Sequence, residues 1–349
     1  MQVLAGALLI ALVPKLAGAA PAKCELAQLA EIPVSLTDNG PLIDASINTQ
    51  PVKMLVDTGA ARSAIWIDTA NRLGLKTVAS GATFYGVGGG TEARLVTVQQ
   101  FGLGRFTVRD LTLYALQTGT STRDVAGILG EDFLSKLDVE FDLPTKTIRL
   151  FETKNCVGDQ VVYWAQSYAM VKLVHGGDYG DWLLAHVGLN GHEVLGMFDL
   201  GAFATLVNTR GAYGLGKSAA ESDPIAQIHG IGGHAGTDIS TASFAVVTVG
   251  QENIPNVTLP VGDVFKHDRV DKTGSYIPQS VFQEPDLIIG ADFFRAHRIF
   301  LANSQGKLYF TYSGGPIFAP PQRRVASPTT PATLPPPPAT DAPQAPASP

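Results

Sequence analysis

Residues 54–60 read MLVDTGA, and residues 196–202 read GMFDLGA. In each stretch an apolar strand pattern runs into an aspartate, Asp57 or Asp199, and then into a turn of small residues. Because the pattern occurs once in each half of the chain, it indicates a duplicated fold. A duplicated fold that offers one acid per copy can place two carboxylates face to face.

Two further features repeat in the same order. Glycine-rich segments follow each aspartate, at residues 84–90 and 228–234. Each is followed by a strand pattern, so repeated glycine predicts a mobile or strongly bent hairpin. Later come two apolar residues and a glycine, ILG at residues 128–130 and IIG at residues 288–290, each leading into a short helical pattern and a strand pair.

The composition indicates a mainly β protein of two ordinary domains. The chain has 349 residues, of which 45% are apolar and 16% charged, with a net charge of −6. Strand-like alternation and tight turns recur along it. No basic run is present, which argues against nucleic acid and anionic membrane surfaces as partners.

The two ends of the chain carry different signals. Residues 3–13 are apolar and residues 17–19 are small, which predicts a signal peptide over residues 1–19 and a periplasmic or secreted protein with no integral membrane span after its removal. Lys15 follows the apolar run rather than preceding it, so an uncleaved anchor is the alternative. Residues 314–349 are rich in Pro, Ala and Thr and predict a disordered tail.

The chain has two cysteines, Cys24 and Cys156, which flank the first repeat. In an oxidising compartment they would pair and join the ends of that lobe. The alternative is two unrelated thiols.

The repeated order of acidic turn, glycine-rich hairpin and apolar-apolar-glycine segment resembles a retropepsin-like (clan AA) aspartic protease subunit, here in a tandem single-chain form. The resemblance implies an all-β fold of two closed β-barrel lobes related by internal duplication, each with a flap-like hairpin and a short helix. We expect lobes at residues 24–152 and 168–313, joined by a linker at 153–167.

The resemblance also implies an aspartic endopeptidase. Two adjacent carboxylates share one proton, so one can take a proton from a water while the other donates. Asp57 and Asp199 are therefore the expected catalytic pair, acting on an extended peptide or protein without a cofactor or metal, in a monomer. The residues expected to support this pair are Thr58, Gly59, Ala60, Gly201 and Ala202.

One residue departs from the family pattern. The position after each aspartate is usually Thr or Ser in this family, and its hydroxyl bonds across to the opposite lobe. Thr58 fits, but Leu200 does not, and its lost bond is worth about 1 kcal/mol. We expect Leu200→Thr to raise activity or broaden its pH range.

The two hairpins are expected to close over the substrate and hold it by main-chain hydrogen bonds. Their glycines are candidates for the hinges and tips, and the residue before the first glycine of each is a candidate substrate contact. These flap and substrate-binding candidates are Tyr85, Gly86, Gly88, His229, Gly230 and Gly232.

Other functions fit the sequence less well. A phosphate site needs a helix after the glycines, and strand patterns follow instead. The histidines lack the spacing of a zinc protease. Asp132 and Asp292 match between the copies, and we interpret both as helix N-caps. A non-catalytic peptide-binding protein with the same fold is the main alternative, and a structural β protein of the cell envelope is another.

Overall fold

The structure is a computed structural model, and it describes residues 23–37, 40–117, 125–174, 182–215, 226–232, 236–267 and 284–318. The predicted signal peptide, Gly233 and His234 of the second glycine-rich segment and the tail beyond residue 318 lie outside the described residues. So do residues 38–39 and 176–180, where Asp-Asn-Gly and glycine-rich sequences predict turns.

The prediction of an all-β protein is confirmed, since strands form most of the described chain. The first half contains β1 (Glu25–Thr37), β2 (Gly40–Ile47), β3 (Gln50–Val56), β4 (Ala64–Trp66), α1 (Ile67–Arg72), β5 (Thr77–Gly86), β6 (Gly89–Leu103), β7 (Phe106–Leu116), β8 (Gly127–Leu129), α2 (Glu131–Leu134), β9 (Asp138–Asp142) and β10 (Thr147–Lys154).

The second half repeats this order, with ten strands and two short helices in the described residues. It contains β11 (Ala169–Val174), β12 (Leu184–Leu189), β13 (His192–Phe198), β14 (Leu206–Asn208), α3 (Thr209–Gly214), β15 (Ala226–Ile228), β16 (Thr237–Val249), β17 (Glu252–Gly262), β18 (Leu287–Ile289), α4 (Ala291–Ala296), β19 (His297–Ala302) and β20 (Lys307–Tyr312).

Strand pairing within the two halves follows one scheme. In the first half β3 pairs in parallel with β8, and β8 pairs antiparallel with β4. In the second half β13 pairs in parallel with β18, and β18 pairs antiparallel with β14. The hairpin of β5 and β6 corresponds to that of β15 and β16, and β2 meets β6 as β12 meets β16. Closure of each sheet into a barrel and descent from a duplication stay predictions.

A third sheet joins the halves, and we call it the seam sheet. Its strand order is β1, β10, β9, β19, β20 and β11, with every neighbouring pair antiparallel. The central pair comes from different halves, and Phe141 of β9 lies opposite Ile299 of β19. The two acidic turns are therefore held in one continuous framework.

Local sequence explains the tight hairpins between these strands. Asn48 and Thr49 join β2 to β3 with φ of 48° and 69°, and Asn190 and Gly191 join β12 to β13 with φ of 53° and 80°. Two successive positive φ values match the right-handed twist of a two-residue hairpin, and Asn and Gly tolerate them best. Both turns fix the register of the strand that leads to an acidic residue.

The predicted disulfide is present: Cys24 is bonded to Cys156. It joins the chain just before β1 to the chain just after β10, two paired strands of the seam sheet. The covalent link therefore closes the first half at the edge of the seam sheet.

Two segments at the predicted domain boundaries pack on the fold. The segment 153–167 connects the halves, but it also begins with the end of β10 and packs on the seam sheet, where Trp164 stacks on Phe300. The tail is ordered at its start, because Phe318 is 4% exposed and stacks on Phe293. The packed fold therefore reaches Phe318, which lies in a segment whose composition is typical of disorder.

Among the described residues, no helix is long and apolar enough to span a membrane.

Candidate active site

The first acidic turn is hydrogen-bonded at both ends, to the last residue of β8 and to the first residue of α2. The backbone N–H of Asp57 donates to the Leu129 carbonyl (3.1 Å), and the N–H of Glu131 donates to the Ala60 carbonyl (2.8 Å). β3 lies beside β8 in parallel, so Asp57 emerges where both strands end. The position of the aspartate is thus set by two strands and the loop after them.

The second acidic turn is pinned in the same manner. The N–H of Asp199 donates to the Ile289 carbonyl (2.9 Å), and the N–H of Ala291 donates to the Ala202 carbonyl (2.8 Å). The apolar-apolar-glycine segments therefore support the acidic turns in both halves.

The two carboxyl groups meet between the halves, close enough for the charge of Asp199 to act directly on Asp57. The Asp57 carboxylate also accepts from the N–H groups of Gly59 (2.9 Å) and Ala60 (3.1 Å). The Asp199 carboxylate accepts from Gly201 (2.9 Å) and Ala202 (3.1 Å). We call Asp57 and Asp199 the acidic pair.

The glycine two residues after each aspartate allows the two carboxyl groups to approach each other closely. A Cβ added to Gly59 would lie 2.4 Å from the Cγ of Asp199, and one added to Gly201 would lie 2.3 Å from the Cγ of Asp57. Each carboxyl group therefore rests directly on the glycine of the opposite half. Any side chain there would force the two acids apart.

The environment makes the two acids unequal. Burial, the charge of Asp199 and the hydrogen bond with Asp199 raise the pKa of Asp57 well above its ordinary value. Burial also raises the pKa of Asp199, but hydrogen bonds from Asp57 and from the N–H groups of Ala202, Gly201 and Gly59 oppose that rise. Burial and the closeness of the two acids therefore favour a single proton shared by the pair.

The hydroxyl of Thr58 crosses to the opposite half. It donates to the Phe198 carbonyl (2.8 Å) and accepts from the N–H of Leu200 (2.8 Å), and its side chain is fully buried. Leu200 has no hydroxyl to return the contact, and its side chain is also fully buried in the apolar core. At the positions after the two aspartates, only the first half therefore supplies a hydroxyl that bonds to the opposite turn.

Asp132 and Asp292 are not helix N-caps, which corrects the interpretation from the sequence. α2 and α4 begin after Gly130 and Gly290, and neither helix has a side-chain cap. The Asp132 carboxylate instead accepts from Ser63, and the Asp292 carboxylate accepts from Thr205.

Sequence reasoning missed Ser63 and Thr205, although each lies six residues after an aspartate of the acidic pair. The sequence signal that could have identified them is a hydroxyl residue at the same distance from the aspartate in both halves.

The two glycine-rich hairpins meet at their tips. The N–H of Gly88 donates to the carbonyl of Ile231 (2.8 Å), and each tip presents an apolar side chain to the other half. Val87 packs against a second-half cluster that includes Leu184, Leu195, Met197 and Ile288. Ile231 packs against a first-half cluster of Ala64, Ala93 and Leu116. We call Val87-Gly88 and Ile231-Gly232, where the described parts of the two hairpins meet, the tips. The sequence analysis did not identify either apolar residue.

The other flap candidates lie within these hairpins. Gly86 and Gly230 face Ile231 and Val87 of the opposite hairpin, at 2.7 and 2.8 Å from the Cβ each would carry. Tyr85 is 39% exposed on β5. The ring of His229 lies against Gly236 of its own hairpin. Contact of Tyr85 or His229 with a substrate stays a prediction. Among the described residues, no group of three or more His, Cys, Asp and Glu side chains is placed to hold a metal ion.

Comparison with known proteins supports the resemblance over the first half. Residues 43–133 match the family model described as aspartyl protease, so the resemblance to the retropepsin-like family is confirmed there. A comparison with curated proteins found no match. Among solved structures the chain is similar to the aspartic proteinase from Irpex lacteus, with 13% identity and a TM-score of 0.49, over 81% of this chain and 97% of that chain.

Proposed function

We propose that this chain, whose residues 43–133 match the aspartyl protease family, is an aspartic endopeptidase. Asp57 and Asp199 would activate a water that attacks a peptide bond. One observation carries the proposal: matching turns from the two halves bring the two carboxyl groups together, each against the glycine of the opposite turn.

The chemistry needs one proton on the pair. With the proton on Asp57, ionised Asp199 takes a proton from the water as its oxygen attacks the peptide carbonyl carbon. Asp57 donates its proton to the carbonyl oxygen, giving a neutral tetrahedral diol. As the diol collapses and the C–N bond breaks, ionised Asp57 takes back a proton from one diol hydroxyl, and the proton held by Asp199 passes to the leaving nitrogen. No cofactor takes part.

The hairpins would supply the substrate site. An extended peptide would lie between the acidic pair and the tips, held by main-chain hydrogen bonds. Because the N–H of Gly88 is bonded to Ile231, the tips must part before a peptide enters and then meet again over it. This closure would exclude water from the reacting bond.

Hydrolysis of denatured casein from acid to neutral pH tests the proposal. We expect cleavage by the wild-type protein and its loss in both Asp57→Asn and Asp199→Asn. Asp44→Asn is the matched control, because the Asp44 side chain is 81% exposed and pairs only with Lys53 in the described contacts. Cleavage that survives both variants would remove the acidic pair from the reaction.

A non-catalytic peptide-binding protein is the second candidate, and the observation that favours it is Leu200. The hydroxyl that would steady the Asp57 turn is replaced by a buried apolar side chain. Binding of an extended peptide to wild type and both Asn variants, with no cleavage by any of them, would support this candidate.

The proposal includes export to a periplasm or the extracellular space, as a monomer. The bond between Cys24 and Cys156 supports an oxidising compartment. Sequencing the N-terminus of the purified protein tests it, and an intact residue 1 on a membrane-associated protein would favour the uncleaved anchor.

A further inference from the structure

A second pair of carboxylates lies behind the acidic pair, one in each half. Asp132 Oδ1 accepts from the N–H (2.8 Å) and the hydroxyl (2.6 Å) of Ser63. Asp292 Oδ1 accepts from the N–H (2.9 Å) and the hydroxyl (2.7 Å) of Thr205, and Oδ2 also lies 2.9 Å from that N–H. The two halves therefore contain the same arrangement of a carboxylate and a hydroxyl residue.

Each hydroxyl has a second bond, to the glycine of the apolar-apolar-glycine segment. The N–H of Gly130 donates to the Ser63 hydroxyl oxygen (2.9 Å), and the N–H of Gly290 donates to the Thr205 hydroxyl oxygen (3.0 Å). A hydroxyl has one proton to give, and an ionised carboxylate only accepts. The hydroxyl therefore donates its hydrogen bond to the aspartate, and its oxygen accepts from the glycine N–H.

The glycine that donates to this hydroxyl, Gly130 or Gly290, lies between the two residues that hydrogen-bond to the neighbouring acidic turn. In the second half, Ile289 accepts from Asp199 and Ala291 donates to Ala202, with Gly290 between them. In the first half, Leu129 and Glu131 do the same for Asp57 and Ala60 around Gly130. A shift of either glycine would move both bonds that locate the neighbouring catalytic acid.

We infer that Asp132 and Asp292 are positioning residues of the acidic pair, acting through Ser63 and Thr205 on the loops that carry Asp57 and Asp199. The effect that we expect on kcat rests on the proposed function. Asp292 is 4% exposed, and its carboxylate also accepts from the N–H of Phe293, so the second-half device is the more enclosed. We therefore choose Thr205 for the main test.

The test compares Thr205→Val with Thr205→Ser. Val keeps the shape of Thr and removes the hydroxyl, whereas Ser keeps the hydroxyl and removes a methyl group. We expect Thr205→Val to lower kcat by about 10-fold or more, with KM within about twofold, because a bond to a charged group behind the site is lost. Thr205→Ser should keep kcat within about threefold of wild type.

The first half supplies a parallel test if Thr205→Val does not fold. Ser63→Ala should lower kcat and Ser63→Thr should preserve it. Unchanged kcat in a folded Thr205→Val or Ser63→Ala variant, with only a lower thermal midpoint, would give Asp132 and Asp292 a purely structural role and overturn the inference.

A measurement without turnover separates this inference from the proposed function. Carbon-13 NMR of aspartate-labelled protein follows the titration of the acidic pair in wild type, Thr205→Val and Thr205→Ser. We expect the Val variant alone to shift it. If wild type cleaves nothing, the proposed function fails, and the titration still decides: equal curves in all three proteins overturn the positioning role.

Discussion

At the scale of single residues, Thr58 is the one hydroxyl that joins the two acidic turns in the described structure. It serves both a carbonyl and an N–H of the other half, in a fully buried position. The two turns belong to different halves, so this side chain links their relative position to the chemistry.

Thr58→Val should lower the free energy of unfolding by about 2–4 kcal/mol, because the Phe198 carbonyl and the Leu200 N–H lose their partner in a buried site. Thr58→Ser keeps both bonds and should stay within about 1 kcal/mol of wild type. Urea unfolding measures both. A Val variant as stable as the Ser variant would contradict the importance of the hydroxyl.

Leu200→Thr should raise kcat by roughly two- to fivefold, since a hydroxyl there can grip the opposite turn as Thr58 does. The same change should lower the free energy of unfolding by about 1–3 kcal/mol, because Leu200 is fully buried in the core. Leu200→Val removes similar volume without adding a hydroxyl. Equal kcat in the Thr and Val variants would show that Leu200 is not what limits the pair.

The raised pKa of Asp57 predicts an unusual pH dependence of stability. The ordinary value is 3.8, and the value in the fold is well above it. The folded protein therefore holds a proton that the unfolded chain releases, so this contribution to stability is complete below pH 3.8 and is lost as pH rises through the folded pKa. Activity should fall over the same range, because the general acid loses its proton.

Asp57→Asn removes that titration. Its thermal midpoint relative to wild type should increase from pH 4 to pH 7, whereas Asp44→Asn should show no such trend. Parallel midpoints of wild type and Asp57→Asn across this range would contradict the raised pKa.

At the scale of elements, the two hairpins act as one unit through their tips. Each tip packs on the apolar cluster of the opposite half. Opening the site therefore exposes apolar surface in both halves at once, which favours the closed arrangement.

Gly232→Ala should prevent this closure. A Cβ at residue 232 would lie 2.0 Å from the carbonyl carbon of Gly88, and the backbone φ of 129° is one that other residues rarely adopt. We expect kcat/KM to fall between about 10- and 100-fold. Gly214→Ala in α3 is the control, because nothing lies within 4 Å of its added Cβ. Wild-type kinetics in Gly232→Ala would separate tip contact from function.

At the scale of the whole molecule, a charged cluster joins the halves across the seam sheet. Glu140 of β9 is fully buried and accepts from Arg149 of the first half, from Arg298 of the second (3.0 Å), and from Tyr163 of the connecting segment (2.6 Å). Burial and the bond to Glu140 raise the pKa of Tyr163 to about 12. Three parts of the chain thus converge on one carboxylate.

Glu140→Gln should lower the free energy of unfolding by about 2–4 kcal/mol, because two arginines lose their fully buried carboxylate partner. Arg149 keeps Glu31 and Asp142, and Arg298 keeps Asp142. Glu152→Gln is the control, since Glu152 pairs with Lys154 on an exposed surface. Chemical unfolding measures both, and equal stability of the two variants would show that the seam does not depend on this charge.

The sequence by itself determined the strands, the hairpin turns and the two acidic turns. Period-two apolar patterns, Asn-Gly turns and glycines beside an aspartate act over a few residues, so they can be read without the fold. With two cysteines, the chain limited any internal disulfide to Cys24 with Cys156, and the structure contains that bond. The internal repeat supplied the family resemblance.

The tertiary structure alone decided which side chains meet. Ser63 and Asp132 are 69 residues apart, and Thr58 and Phe198 are 140 residues apart. The exchange of Val87 and Ile231 between halves and the convergence on Glu140 have no local signal either. Such contacts follow from strand register and the seam sheet, and a one-residue slip would remove them without changing any local pattern.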